Sequence, residues 1–282
     1  MNPSRGYRIF IHVAAIVVSL VILAPFYWLF IASVASPADL LARPLRFVHD
    51  HISFHRYNDI FTSHGDNVSA AFREAFVNSL IVASGTVLIS VSVGIFGAYA
   101  ISRLRFRARQ PIVLVFLSTY MVPPIALVIP LYLVMVRLHL LDTRLGLIVV
   151  YCSFTAPFVI WIMGNFFQTI PKDLEDAAQV EGCTRVGALF RVILPLARPG
   201  LLATVLFAFL IAWDEFLYAL IFTSTTASKT IPVAIAEFTG RYETDFGLQA
   251  AGGVLAALPP VLIAIVFQKY IVGGLSRGAV KG

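Results

Sequence analysis

Residues 76–101 read FVNSLIVASGTVLISVSVGIFGAYAI, twenty-six positions without a charged side chain. As a helix this stretch rises about 1.5 Å per residue and crosses the ~30 Å hydrocarbon core of a bilayer. Lipid offers the backbone no water to bond, so a lone segment of this length has to be helical. Five further apolar blocks lie at about 9–35, 112–136, 145–167, 201–222 and 250–272. Of 282 residues, 59% are hydrophobic and 13% charged, about half the charged share of an ordinary globular chain, which excludes a soluble protein. The predicted fold is an all-α polytopic membrane protein, six transmembrane helices forming a single transmembrane domain over residues 1–282. Pro25, Pro123, Pro124, Pro130, Pro157, Pro259 and Pro260 interrupt four of the six blocks. The carbonyls that such kinks release need partners on neighbouring helices, so the spans are expected to pack as a bundle.

An even number of spans puts both termini on one side. Arg5, Arg8, Arg103, Arg105, Arg107, Arg109, Lys172, Arg185, Arg191, Arg198, Lys269, Arg277 and Lys281 fall there, thirteen of twenty-one basic residues beside four acids. The opposite side carries eight basic and nine acidic residues, so the positive-inside rule places both termini in the cytoplasm. The net charge of +6 is thereby a matter of topology. The four arginines of residues 102–110 lie in a short turn with no groove-sized surface, and no nucleic-acid partner is expected. Residues 9–35 follow Arg5 and Arg8 as a secretory leader would, but the stretch is longer than the roughly 7–15 residues of a leader's apolar region. It reads as a retained span, with Tyr27 and Trp28 at its outer interface.

Residues 36–75 form an outer loop long enough for a lid or docking arm. His49, His51, His55 and His64 fall within it, without the acids or cysteines of a metal site, so no metal is expected. Cys152 and Cys183 stand in unlike surroundings, one in an apolar block and one in a charged loop, and suggest no disulfide framework. Asn67-Val68-Ser69 matches a glycosylation acceptor, a pattern too frequent by chance to carry weight.

Residues 168–200, between the fourth and fifth blocks, are far longer than the other cytoplasmic connection. Pro171 suits a first helical turn, Asp173, Glu175 and Asp176 complement the positive end of a helix dipole, and Gly182 can adopt the left-handed conformation that closes it. Leu174, Ala177 and Ala178 share one edge. Thr184 can cap a second helix with Val186, Leu189, Phe190 and Ile193 toward membrane or bundle, Arg185 and Arg191 toward water, and Pro195 as its stop.

Asp176-Ala177-Ala178, then Gly182 after three residues and Val192-Ile193-Leu194-Pro195 after nine more, resemble the Glu-Ala-Ala, Gly, Ile-x-Leu-Pro signature of permease subunits of bacterial ABC importers. Asp176 stands where Glu is usual and Val192 where Ile is usual. Residues 174–199 and 274–282 are similar to the carbohydrate branch, and to the shorter six-span subunit of maltose-type importers in particular. Trp213-Asp214-Glu215-Phe216 resembles that branch's Trp-Asn-Glu-Phe, with Asp214 in place of Asn. The resemblance implies a type I ABC importer permease of the bacterial plasma membrane, with a cytoplasmic coupling helix between spans four and five. It implies a second homologous permease, two ATP-binding cassette ATPase subunits and an extracytoplasmic sugar-binding protein or lipoprotein as partners. It also implies a carbohydrate substrate, such as a di- or oligosaccharide or glycerol phosphate.

The ATPase-coupling residues carried over are Asp176, Ala177, Ala178, Glu181, Gly182, Leu194 and Pro195, with Ala178, Gly182 and the Asp176/Glu181 pair expected at the contact. Small side chains allow close backbone approach there, and the acids can meet basic groups at the rim. The sequence contains no G-x-x-x-x-G-K-[ST] phosphate loop, so this chain is expected to bind no cofactor and catalyse no hydrolysis, ATP and Mg being held by the partner ATPases.

Asp214 and Glu215 are the only acids inside an apolar block, where an Asp at a helix centre costs about 2.5–3.5 kcal/mol on insertion scales. Beside Trp213 and Tyr218 they suit either a wet substrate path, the aromatic rings stacking on a sugar, or a structural pair bonded to backbone or to the partner permease. Gly94 and Gly97, and Gly252 and Gly253, suit close helix contact, and residues 223–249 form an outward segment. A self-powered secondary transporter is the alternative, with Asp214 or Glu215 coupling protons, but its halves should show repeat symmetry that this chain lacks. A membrane enzyme would need an assembled catalytic set, and no such motif is present.

Overall fold

The computed structural model describes residues 5–40, 52–62, 67–237 and 246–279, and the described residues are helical nearly throughout. In chain order the helices are α1 (Arg5–Val34), α2 (Pro37–Leu40), α3 (His55–Thr62), α4 (Asn67–Arg103), α5 (Arg109–Thr119), α6 (Pro124–Arg137) and α7 (Arg144–Thr169). They continue with α8 (Lys172–Val180), α9 (Arg185–Leu196), α10 (Arg198–Trp213), α11 (Leu217–Phe222), α12 (Ile231–Glu237) and α13 (Phe246–Ala279).

Four of the six apolar blocks are single helices long enough to cross a membrane: α1, α4, α7 and α13. The other two are each split. The block at 112–136 divides into α5 and α6 around residues 120–123, where Pro123 and Pro124 deny the chain two backbone donors. The block at 201–222 divides into α10 and α11 around residues 214–216. The helix of the second span starts nine residues before the apolar block, at Asn67, and α2, α3 and the first turns of α4 fall within the outer loop expected at 36–75.

The described residues form two compact units, within residues 1–73 with 234–258 and within residues 74–233 with 259–282. In the first, Ile60, Phe72, Ala251 and Leu255 form a small core with Tyr57, Ile235 and Leu248 packed against it. Arg56, 2% exposed, donates to the carbonyls of Ser33 and Ala35, at 3.2 and 2.6 Å, satisfying the end of α1 with a cation at the negative pole of its dipole. In the second unit the bundle closes on glycines. A Cβ on Gly94 would stand 2.4 Å from Val159 Cγ1, and one on Gly97 2.9 Å from Ile160 Cδ1. The small-residue packing expected for the second span is therefore against α7.

The segment after α11 is tethered at each turn. Asp142, in the left-handed region at φ +55°, accepts from the amides of Ser224 and Thr225, at 2.8 and 3.0 Å, and from the Ser228 hydroxyl. Asn78 Nδ2 donates to the carbonyls of Thr226 and Lys229, both at 2.8 Å, and Ser79 Oγ accepts from the Ile231 amide at 2.8 Å. Asn78 and Ser79, polar residues inside the apolar block of α4, are thereby bonded to a loop the sequence left unattached.

Burial pushes the Asp142 carboxyl up, but the Ser228 hydroxyl and the Thr225 and Ser224 amides outweigh it and take its pKa down to about 2. A folded value below the ordinary ~3.9 means that the clamp is fully stabilising above about pH 4 and is lost as the pH falls toward 2. Amide protection of Ser224 and Thr225 by hydrogen exchange is expected to hold from neutral pH to about 4 and to fall below it. Asp142→Ala should lower it at neutral pH; equal protection in that variant would contradict the clamp.

Candidate functional site

The loop between α7 and α10 is built from α8 and α9. Pro171 precedes α8 as its N-cap, one position outside the helix, and Asp173 and Glu175 stand in the first turn. The helix closes as a Schellman motif: the Cys183 amide donates to the Ala178 carbonyl at 2.9 Å and the Gly182 amide to the Gln179 carbonyl at 3.0 Å. Gly182 has φ +90°, the conformation expected of it. Thr184 Oγ accepts from the Gly187 amide at 3.1 Å and caps α9.

Pro195 does not stop this helix. A π turn over Leu189–Ile193 precedes it and the helix runs on to Leu196. A widened turn absorbs the missing donor and the ring, so the chain turns instead at Ala197, by 83°, into α10. Leu189 and Ile193 are fully buried, whereas Val186 is exposed and Phe190 lies edge-on to Phe96 with ring centroids 5.9 Å apart. The core here joins Ile95, Ala98 and Tyr99 of α4, Val159, Met163 and Phe167 of α7, Leu189 and Ile193 of α9, and Ala208 of α10. One half of the loop is thus part of the bundle, and Leu194 packs against the same core.

The other half, α8, is mostly exposed. Leu174, Asp176, Ala177, Glu181 and Gly182 are exposed, and so is Val180 at 89%, an apolar side chain the sequence reading did not single out. Ala178 departs from the expected edge: at 8% exposure it turns inward, because Glu175, one turn earlier on the same face, is drawn into the bundle.

Glu175 is the residue that sequence reasoning missed. It is 7% exposed and its Oε1 accepts from the Tyr99 hydroxyl. Arg103 Nε stands 3.3 Å from its Oε2, an ion pair without the alignment of a hydrogen bond, and Arg103 Nη2 donates to the Ile170 carbonyl at 2.8 Å. No local signal singled it out: Glu175 stands between Asp173 and Asp176 in the same short helix, and Arg103 is one of four arginines within residues 103–109.

At the break in the fifth block the four predicted residues separate. Trp213 is buried, stacked on Phe209 with centroids 5.4 Å apart and edge-on to Phe76 at 5.9 Å. Tyr218 is buried too; it stacks on Phe154 at 6.0 Å and donates to the Pro124 carbonyl at 3.3 Å. Both rings expected to meet a sugar are packed against protein, Trp213 by α10 and α4 and Tyr218 by α7 and α6. Glu215 accepts from the amides of Tyr218 and Ala219, at 2.9 and 3.1 Å, capping the first turn of α11. That is the structural role left open by the sequence, and it accounts for a carboxylate at this depth. Only Asp214, at the end of α10, keeps its side chain exposed.

Among the described residues no group of three or more His, Cys, Asp or Glu could hold a metal ion. His55 shares a 2.9 Å hydrogen bond with Ser53, while His49, His51 and His64 lie outside the described residues.

Residues 90–277 match the family of binding-protein-dependent transport system inner membrane components. The chain belongs to this family. It is therefore a permease of a binding-protein-dependent transport system and a multi-pass membrane protein. The permease is 36% identical over 276 residues to the trehalose/maltose transport system permease protein of Thermococcus litoralis, covering 98% of this chain and 97% of that one. It is 37% identical over 262 residues to the trehalose transport system permease protein of Mycobacterium tuberculosis, covering 92% and 93%. In structure the permease is similar to a chain of a bacterial ABC transporter involved in the import of the acidic polysaccharide alginate. That likeness has a TM-score of 0.77 and 25% identity, covering 96% of this chain and 99% of that chain.

Proposed function

We propose that this permease is one of two homologous membrane-spanning subunits of an ATP-driven sugar importer. A di- or oligosaccharide, or a related sugar such as glycerol phosphate, is delivered by an extracytoplasmic binding protein or lipoprotein. Two cytoplasmic ATP-binding cassette subunits hold ATP and Mg and supply the energy. Both termini lie in the cytoplasm, in keeping with the basic excess on that side.

The observation that carries this reading is the two-sided loop. A mere connector would be short; here α9 is packed into the core while α8 presents Ala177, Val180, Glu181 and Gly182 outward. Small and apolar side chains ringed by Asp173, Asp176 and Glu181 suit a groove with basic groups at its rim on an ATPase subunit. Relatives that are permeases for trehalose, maltose and diacetylchitobiose support a sugar as the cargo. Asp214 is the acid of the fifth span left to face a ligand or the second permease.

The test is uptake of radiolabelled trehalose, maltose and glycerol phosphate into vesicles holding the full complex. Uptake is expected to require internal ATP and the binding protein and to survive collapse of the proton gradient. Uptake driven by the gradient without ATP would establish the secondary transporter instead.

A further inference from the structure

We propose that Glu175 is the positioning residue that makes α8 travel with the cytoplasmic end of the second span, by binding Tyr99 and Arg103 of α4 together. The proposal rests on the importer reading above and deepens it by naming the side chain that fastens the coupling helix to the bundle.

α8 has nine residues, too few to hold a helix or an orientation alone. Ile170 is extended after α7, so α8 does not continue the axis of α7, and a hydrogen-bonded turn between Glu181 and Thr184 separates it from α9. Side chains must therefore fix its tilt. Its two buried side chains are Glu175 and Ala178, and a methyl group buries too little surface to fasten a helix. Glu175 remains. Its two carboxylate oxygens go to different groups on one helix, Oε1 to Tyr99 and Oε2 to Arg103. Arg103 in turn spans the joint itself, donating to the Ile170 carbonyl that ends α7. One carboxylate and one guanidinium thus tie α4, the end of α7 and α8 in a single buried cluster.

The physics of a buried ion pair sets what this cluster does. Desolvation offsets much of its attraction, so it adds little to stability, yet separating the partners leaves two uncompensated charges out of water. Such a pair resists being parted more than it favours folding. A pull on the exposed face of α8 is accordingly passed to Tyr99 and Arg103 before α8 can hinge away from the bundle. Asp173 and Asp176, exposed on the same helix, cannot play this part.

The test uses the complete transporter in vesicles and reads the number of trehalose or maltose molecules moved per ATP hydrolysed. Glu175→Gln, nearly isosteric, is expected to lower that ratio by about ten-fold, the scale of ordinary coupling between sites, while ATP is still hydrolysed. Tyr99→Phe, which keeps the ion pair, should lower it less, and it serves where the first variant assembles poorly. An unchanged ratio in both would overturn the proposal.

A second measurement leaves Glu175 in place. Ser102 and Lys172 line one hollow of about 380 Å3 between the end of α4 and the start of α8. With Cys152→Ala and Cys183→Ala as background, a bifunctional thiol reagent joining Ser102→Cys to Lys172→Cys is expected to leave uptake within about two-fold, since parts that move together tolerate a bridge. Arrest of uptake by the bridge, with the same variant active before treatment, would show that α8 parts from α4 and would overturn the proposal. Uptake indifferent to ATP in the unaltered protein would instead refute the importer reading.

Discussion

Gly94→Val is expected to lower the stability of the permease and its yield from the membrane. The added Cβ alone would stand 2.4 Å from Val159 Cγ1, and Val159 is fully buried, with no room to turn aside. Two effects oppose each other. Replacing a helical glycine recovers no more than about 1 kcal/mol of conformational entropy, whereas overpacking a tight contact costs about 1–3 kcal/mol or more. Against a total stability of about 5–15 kcal/mol the second effect wins. The measure is the yield of monodisperse protein after detergent extraction and its melting temperature. Val159→Ala in the same chain should recover much of the loss, because it removes the methyl group that is struck. Purely additive effects of the two substitutions would locate the cause elsewhere.

Gly182→Val should do the opposite, sparing the fold and stopping transport. Nothing lies within 4 Å of a Cβ built there, so no clash arises. The cost is in the backbone. At φ +90° a β-branched residue carries about 1–3 kcal/mol of strain, most easily relieved by unwinding the closing turn of α8. Insertion and assembly are expected to be normal, with stimulated ATPase and sugar uptake both reduced by about ten-fold or more. Gly182→Asn, which tolerates the left-handed region, should keep most of the activity. Full turnover by Gly182→Val in reconstituted vesicles would remove this turn from the coupling contact.

The two glycines mark how unevenly the sequence discloses its structure. Gly182 was legible because the acids before it, the apolar edge and Thr184 after it are local signals, and local signals set caps and turns. The contact between Gly94 and Val159 joins residues far apart in the chain, so sequence could offer only a small residue suited to packing somewhere. The same divide runs through the charges. Four arginines crowd residues 103–109, and nothing local distinguishes Arg103, ion-paired to Glu175, from Arg105, Arg107 and Arg109, which line an open hollow of about 1070 Å3. Nor did local pattern separate Glu175 from its neighbours Asp173 and Asp176. Trp213 and Tyr218 looked available to a sugar until Phe209, Phe76, Phe154 and Pro124 were found against them.

By itself the sequence determined that this is a helical membrane protein, where its apolar blocks lie, how its loop helix begins and ends, and which family it resembles. Those properties follow from the cost of unpaired backbone groups in lipid and from hydrogen bonds between residues a few positions apart. Only the tertiary structure decided that two of the blocks are broken, that Glu215 caps one break, that Ala178 faces inward, and that Glu175 is held by Tyr99 and Arg103. Each of these depends on which distant residue arrives at a given place, and packing settles that, not the pattern of neighbours along the chain.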